Sequence, residues 1–276
     1  MLSKTSLFRT LALSGLIVLA SCSTEDDSSE DGTQEAALTS EQAQLNAEAE
    51  VTTDQAYTLI ELAYSAQEED TARSSSIFSN CAVITVDLDG QLTLISIDFG
   101  DGCLLNNGRL VSGILHLSYG PIVDATRTIT YQFENFTVNN KGVVGGGTIL
   151  RVHSNANGNP QSTLNKNLVV SFPSGVTADV TGTRVAEWIE GFASGTWKDN
   201  VFLISGNRDI DFSNGYIHQV EVLDALRREA TCDYFVSGSM EVTRNLGSGT
   251  IDFGDGDCDN LATLTIGGEE YTIVLN

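Results

Sequence analysis

Arg127-Thr128-Ile129-Thr130-Tyr131-Gln132-Phe133 places Ile, Tyr and Phe at every second position with Thr and Gln between them. Period-2 alternation of this kind puts the apolar residues on one face of a strand and the polar ones on the other. The same texture appears upstream in Leu92-Thr93-Leu94-Ile95-Ser96-Ile97 and Ala82-Val83-Ile84-Thr85-Val86, and it persists to the C-terminal end. Turn chemistry punctuates the runs at Asp89-Gly90, Asn107-Gly108, Lys141-Gly142, Pro173-Ser174-Gly175, Asn214-Gly215 and Gly267-Gly268. These connections are too short for crossover helices, so the strands should pair antiparallel. We therefore expect an all-β antiparallel meander over residues 77–276, with roughly twelve to fifteen strands forming an extended sheet, a sandwich or a barrel.

Ahead of this domain the chain reads differently. Lys4 and Arg9 precede the apolar run from Leu11 to Leu19, and Ala20-Ser21-Cys22 follows, which is the layout of a signal peptide over residues 1–21. The apolar run is about half the length of a bilayer-spanning helix. Leu19-Ala20-Ser21-Cys22 resembles the lipobox of bacterial lipoproteins, and the resemblance implies lipidation of Cys22 and attachment to a membrane through the acyl chains. Removing residues 1–21 takes away Lys4 and Arg9 and no acids, so the formal charge moves from −23 to −25. Nucleic acid is a poor partner for such a chain. Cys22 to Asp70 holds fourteen Asp or Glu and no Lys or Arg, and residues 22–53 read as an acidic, disordered tether. Ala56, Leu59, Ile60, Ala63 and Tyr64 then fall at helical spacing, with Thr53-Asp54 able to cap, so 54–76 reads as one short helix and a linker, its apolar stripe set on the sheet.

Four further cysteines, Cys81, Cys103, Cys232 and Cys258, are an even number in an exported chain, which suggests disulfides with three possible connectivities. Proximity in sequence favours Cys81 with Cys103 and Cys232 with Cys258. Each pair accompanies one copy of a duplicated cassette, Ile97-Asp98-Phe99-Gly100-Asp101-Gly102-Cys103 and Ile251-Asp252-Phe253-Gly254-Asp255-Gly256-Asp257-Cys258. The duplication suggests two related halves. The cassette is similar to the core of the PKD-type β-sandwich motif, with Ile in place of its Trp, and reads as a local turn with Gly at positive φ and Asp bonding its own backbone. Asp252, Asp255, Asp257 and Asp259 also alternate in the way that calcium ligands do, without the bidentate Glu of an EF-hand. A solvated, disulfide-locked turn accounts for the same residues.

The lipobox, both cassettes with their Cys pairs, the stretch Thr183-Arg184-Val185-Ala186-Glu187-Trp188-Ile189-Glu190-Gly191 and the end Tyr271-Thr272-Ile273-Val274-Leu275 together resemble a group of Bacteroidota-type surface lipoproteins. The acidic stretch Ser23-Thr24-Glu25-Asp26-Asp27 resembles their surface-export signal, and Asp70-Thr71-Ala72 their O-glycosylation triplet. The resemblance implies display on the outer membrane and brings no activity with it. Enzyme signatures are sparse: His116, His153 and His218 are scattered, and no Gly-x-Ser-x-Gly elbow occurs. Glu187 and Glu190 beside Trp188 and Trp197 are the remaining catalytic option, as the acid pair and stacking aromatics of a polysaccharide hydrolase. On a strand, however, the two acids point to opposite faces. We expect a non-enzymatic binding or structural lipoprotein with a glycan or protein ligand, with no catalytic residues and with no cofactor unless calcium.

Overall fold

The computed structural model describes residues 38–68, 76–244 and 247–275. Residues 1–21, expected to be a signal peptide, together with Cys22, the stretch Ser23–Asp27 and the Asp70-Thr71-Ala72 triplet, lie outside the described residues. The remainder is one antiparallel sheet and one helix, α1 (Ser40–Glu68). In chain order the strands are β1 (Val83–Asp89), β2 (Leu92–Asp98), β3 (Cys103–Leu104), β4 (Leu110–Tyr119) and β5 (Thr126–Val138). They continue with β6 (Lys141–Val152), β7 (Gln161–Ser171), β8 (Thr177–Glu190), β9 (Val201–Ser205) and β10 (Asn207–Phe212). The last five are β11 (Ile217–Glu229), β12 (Phe235–Arg244), β13 (Gly247–Asp255), β14 (Leu261–Ile266) and β15 (Glu269–Val274).

The meander runs β1-β2-β4-β5-β6-β7-β8-β10-β11-β12-β13-β14-β15, with each strand antiparallel to its neighbour. β3 continues the line of β2 along β4, and β9 continues the line of β10 between β8 and β11. The break between β9 and β10 falls at Gly206 (φ 126°), where a Cβ would sit 2.3 Å from the carbonyl oxygen of Thr183, so only glycine fits the crossing. Among the described residues no pairing joins β1 to β15. The sheet runs continuously through both cassette regions.

The helix is the main departure from expectation. It is 29 residues long and begins at Ser40, so residues 40–53 are helix rather than tether. Its start is a reciprocal capping box that the acidic surroundings concealed: the Gln42 amide N–H donates to Thr39 Oγ1 at 3.3 Å, and the Thr39 N–H to Gln42 Oε1 at 3.4 Å. Thr53-Asp54 is mid-helix. The Thr53 hydroxyl donates to the Ala49 carbonyl at 2.6 Å, and Asp54 is turned to the sheet.

Every residue from Ala49 to Ser65 is buried, so no face of that stretch meets water. Strands from both ends of the path touch the helix, β4 to β7 on one side and β13 and β15 on the other; the sheet therefore curls around it. Three apolar clusters share the lining. The largest joins Tyr57, Leu59, Ile60 and Tyr64 to the inward residues of β2, β4, β5, β6 and β7. A second sets Ala43, Ala47 and Val51 against Trp188, Phe202, Met240 and Leu264, and a third sets Ala49 against Val170, Val180 and Ile210.

Both disulfides form with the local connectivity, Cys81–Cys103 and Cys232–Cys258, at Cα separations of 5.5 and 5.7 Å. The two cassettes do the same work. Ile97 and Phe99, like Ile251 and Phe253, are buried, while Asp98 Oδ1 accepts from the Gly100 N–H at 2.8 Å and Asp252 Oδ1 from the Gly254 N–H at 2.7 Å. Neither is a hairpin. The first interrupts the strand line between β2 and β3, and the second is the end of β13.

Candidate functional site

The chemistry inside the sheet comes from one base on each of five strands. Arg151 on β6, Lys166 on β7, Arg184 on β8, Arg208 on β10 and Arg228 on β11 all point inward. Opposite them, α1 presents Glu50, Asp54 and Glu61, whose spacing keeps them toward one side of a helix. Lys166 Nζ lies 3.0 Å from Glu50 Oε2, Arg184 Nη2 2.8 Å from Asp54 Oδ1, Arg228 Nε 2.6 Å from Asp54 Oδ2 and Arg151 Nη1 2.9 Å from Glu61 Oε2. Arg208 Nε also lies 3.0 Å from Glu50 Oε2, as an ion pair whose N–H is not directed at the oxygen. Two outlying pairs extend the set: Lys141 with Glu48 at 3.8 Å, and Arg109 with Asp233 at 2.8 Å.

No member of the central set is more than 3% exposed. Burial alone would raise the Asp54 carboxyl, but Arg228 and Arg184 hold it well below the usual carboxylate range. Burial pushes the Lys166 ammonium down to about 8 against the attraction of Glu50, and Arg109 down to about 10 against that of Asp233. Every acid of the central set has a base within 3.0 Å, so the network offers neither an uncommitted general base nor an approach for a substrate. Its chemistry is that of a positioning device. Apolar residues would stabilise a core as well or better, whereas a row of ion pairs, with five bases shared among three acids, ties particular strands to particular turns of the helix.

Sequence reasoning missed this network. Its signal was present as a single Arg or Lys at an inward position of each alternating run, for example Arg184 between Val180 and Ala186. Seven of the eleven Lys and Arg among the described residues are buried: Arg109, Lys141, Arg151, Lys166, Arg184, Arg208 and Arg228. The pronounced acidity of the exterior follows from that allocation.

The residues singled out from sequence are not brought together. Glu187 accepts from Asn157 Nδ2 at 2.9 Å and Asn159 Nδ2 at 2.8 Å, which lower its carboxyl below the ordinary value, and Glu190 pairs with Arg227 at 3.1 Å. Trp188 is buried, donates from Nε1 to the Glu190 carbonyl at 2.6 Å and carries the Arg151 guanidinium over its ring. Asp252 and Asp259 each accept a backbone N–H two residues ahead, and Asp255 and Asp257 are exposed. Among the described residues no group of three or more His, Cys, Asp or Glu could hold a metal ion. His116 meets Glu134 at the surface at 3.2 Å, while His218 is buried against Asn46 at 2.9 Å and pushed down to about 4 by burial and by Arg244.

An enterable site lies instead beyond the last turns of α1. A pocket of about 390 Å³ is bounded by the end of α1 at Leu62 and Ser65, by the segment with Ile77 and Phe78, and by the loop carrying Trp197 and Asn200. The middle wall is pinned on both sides. Asn106 donates from its backbone to the Ile77 carbonyl and from its side chain to the Ser76 carbonyl, and Cys81–Cys103 ties the same segment to β3. The third wall is a tight loop with Gly191, Ala193 and Gly195 at positive φ, where Ser194 Oγ donates to the Thr196 carbonyl at 3.0 Å and to Asp199 Oδ1 at 2.9 Å. None of the described lining residues is charged, and apolar and neutral polar side chains are present among them in comparable number. Asn200 is 4% exposed, and one end of its side-chain amide, Oδ1, has no hydrogen-bond partner.

No protein-family model, curated protein or solved structure matches the chain.

Proposed function

We propose that this protein is a lipoprotein anchored to the outer membrane through Cys22 and displayed on the cell surface, where it acts by binding rather than by catalysis. The observation that carries the second half of this reading is the separation of charge from access. Each interior acid of the central set is sealed against at least one buried base, while the described lining of the pocket at the end of α1 carries no charged side chain. A described lining of apolar, hydroxyl and amide side chains suits the holding of a ligand. The lipobox-like Leu19-Ala20-Ser21-Cys22 and the acidic stretch after it support the address.

Two measurements test the two halves. Protease treatment of intact cells should shave the wild type and spare a variant with Glu25-Asp26-Asp27 replaced by three alanines. Protection of both, with cleavage only after lysis, would move the protein to the periplasmic face. For the pocket, the mature chain carrying Cys22→Ser should enhance the emission of Nile red, a neutral dye, and Ala82→Trp at the pocket rim should remove most of that signal. Equal signals would refute the site.

A further inference from the structure

We infer that the protein encloses a small monovalent inorganic anion such as chloride between the side chains of Arg228 and Arg109, at the turn after β11. This site is separate from the pocket at the end of α1 and does not depend on what that pocket holds. The first observation is an imbalance of charge. Among the described residues six buried bases, Arg109, Arg151, Lys166, Arg184, Arg208 and Arg228, pair with only four acids, Glu50, Asp54, Glu61 and Asp233, which leaves two positive charges over. Surplus charge in a dry interior is strongly unfavourable, and an enclosed anion offsets it. The second observation locates the surplus. Arg184 donates to Asp54 from both Nε and Nη2, at 3.1 and 2.8 Å, whereas Arg228 donates from Nε alone, at 2.6 Å. The outer fork of Arg228, Nη1 and Nη2, is buried without a partner, and so is Nη1 of Arg109.

The two guanidiniums converge on one turn. Arg109, just ahead of β4, donates from Nε to Asp233 Oδ1 at 2.8 Å and from Nη2 to the Cys232 carbonyl at 3.0 Å. Arg228 stands on the strand that enters this turn, its guanidinium carbon 4.2 Å from the centre of the Phe235 ring on the strand that leaves it. The helix closes a third side: Asp54 holds Arg228, and the neighbouring Gln55 donates to the Asp233 carbonyl at 2.6 Å. Arg228 lowers the proton affinity of Arg109 more strongly than Asp233 raises it, as two like charges in one water-poor space do. Every unpartnered atom here is a donor on a cation, so the site selects a negatively charged acceptor. The Phe235 ring covers one face of Arg228, and the approach left is in the guanidinium plane, where Nη1 and Nη2 present their N–H groups side by side. A water molecule would accept the same hydrogen bonds but leave the surplus charge in place. Both arginines are fully buried, so the ion must be small and must be enclosed as the sheet closes about the helix.

The test uses the mature chain carrying Cys22→Ser, unfolded in urea at constant ionic strength while sodium gluconate is exchanged for sodium chloride. One ion bound only by the folded state should raise the folding equilibrium constant about tenfold for each tenfold rise in chloride above the dissociation constant, and bromide should act as chloride does. Arg109→Met should still fold, because its partner Asp233 is 28% exposed and can hydrate, and it should lose most of that dependence. Crystals of the wild-type domain grown with bromide as the only halide supply a reading that needs no variant. They should show an anomalous scatterer within hydrogen-bonding distance of the Arg228 fork and of Arg109 Nη1. No halide dependence, a dependence equal in wild type and Arg109→Met, or water alone at that position in the bromide crystals overturns the inference.

Discussion

Asp54→Asn tests the charge network, because it preserves shape while removing the negative charge shared by Arg184 and Arg228 and turning one of the two acceptor oxygens into a donor. Both guanidiniums are at most 1% exposed, with Arg184 Nη2 and Arg228 Nε 2.8 and 2.6 Å from the carboxylate. Breaking a buried pair by removing one partner costs about 3 to 5 kcal/mol, since the other charge stays behind without compensation. Here Arg228 loses its carboxylate outright while Arg184 keeps Glu61 at 3.9 Å, so a loss of about 4 kcal/mol is expected. With a urea slope of about 3 kcal/mol per molar for a domain of this size, the unfolding midpoint should drop by roughly 1.3 M. Glu221→Gln on the outer face is the control and should change stability by no more than about 0.5 kcal/mol. The pH profile supplies a second reading. The folded Asp54 carboxyl lies below its ordinary value of 3.8, so its contribution is present above that pH and is lost as the pH falls toward the folded value. The acid limb of the wild-type profile should thus be shallower in the variant. A midpoint shift under about 0.3 M with an unchanged slope would refute the argument that these charges hold the helix in place.

Reduction of Cys232–Cys258, or its replacement by two serines, should destabilise by about 3.5 kcal/mol in the chain-entropy model, as should loss of Cys81–Cys103. Denaturation with and without reductant measures the effect, and no change would mean that the unfolded chain is already constrained there. His218 is buried neutral with its folded value pushed to about 4, so between its ordinary 6.5 and that value the unfolded state binds the proton more readily. Melting temperature should fall as pH drops through that window, and His218→Gln should flatten the dependence. An unchanged profile in the variant would assign the acid sensitivity to other groups.

What was legible in the sequence was local. Period-2 runs such as Arg127–Phe133 became strands, five of the six Gly-containing signals became turns, and both disulfides joined cysteines with one short stretch between them, because each of these depends on neighbours in the chain; Lys141-Gly142 instead opens β6, and the turn before it is Asn139-Asn140, both at positive φ. What escaped depended on residues far away. The stretch before Thr53 read as tether because Glu48, Glu50 and their acidic neighbours look like a solvated run; only the bases on β6, β7 and β10 give them partners. The capping box at Thr39 and Gln42 was readable in principle, and it was outweighed by the charge of its surroundings. The pocket was less legible still. Trp197 gave a hint, but the conjunction of Leu62, Phe78 and Asn200 exists only once the helix has been enclosed.

That enclosure also sets a timetable. The helix precedes every strand in the chain, while its ionic partners arrive at increasing distances: Arg151 is 90 residues beyond Glu61, Lys166 is 116 beyond Glu50, Arg184 is 130 beyond Asp54 and Arg228 is 174 beyond it. Adjacent strands can zip together as soon as each hairpin exists, which is fast; the closures onto the helix span most of the domain and are slow. Until β11 has formed, Asp54 has received only one of its two cations. The helix, half neutralised, therefore waits for the last third of the sheet before its ionic partners are complete, and an intermediate halted there would expose the apolar and charged lining together.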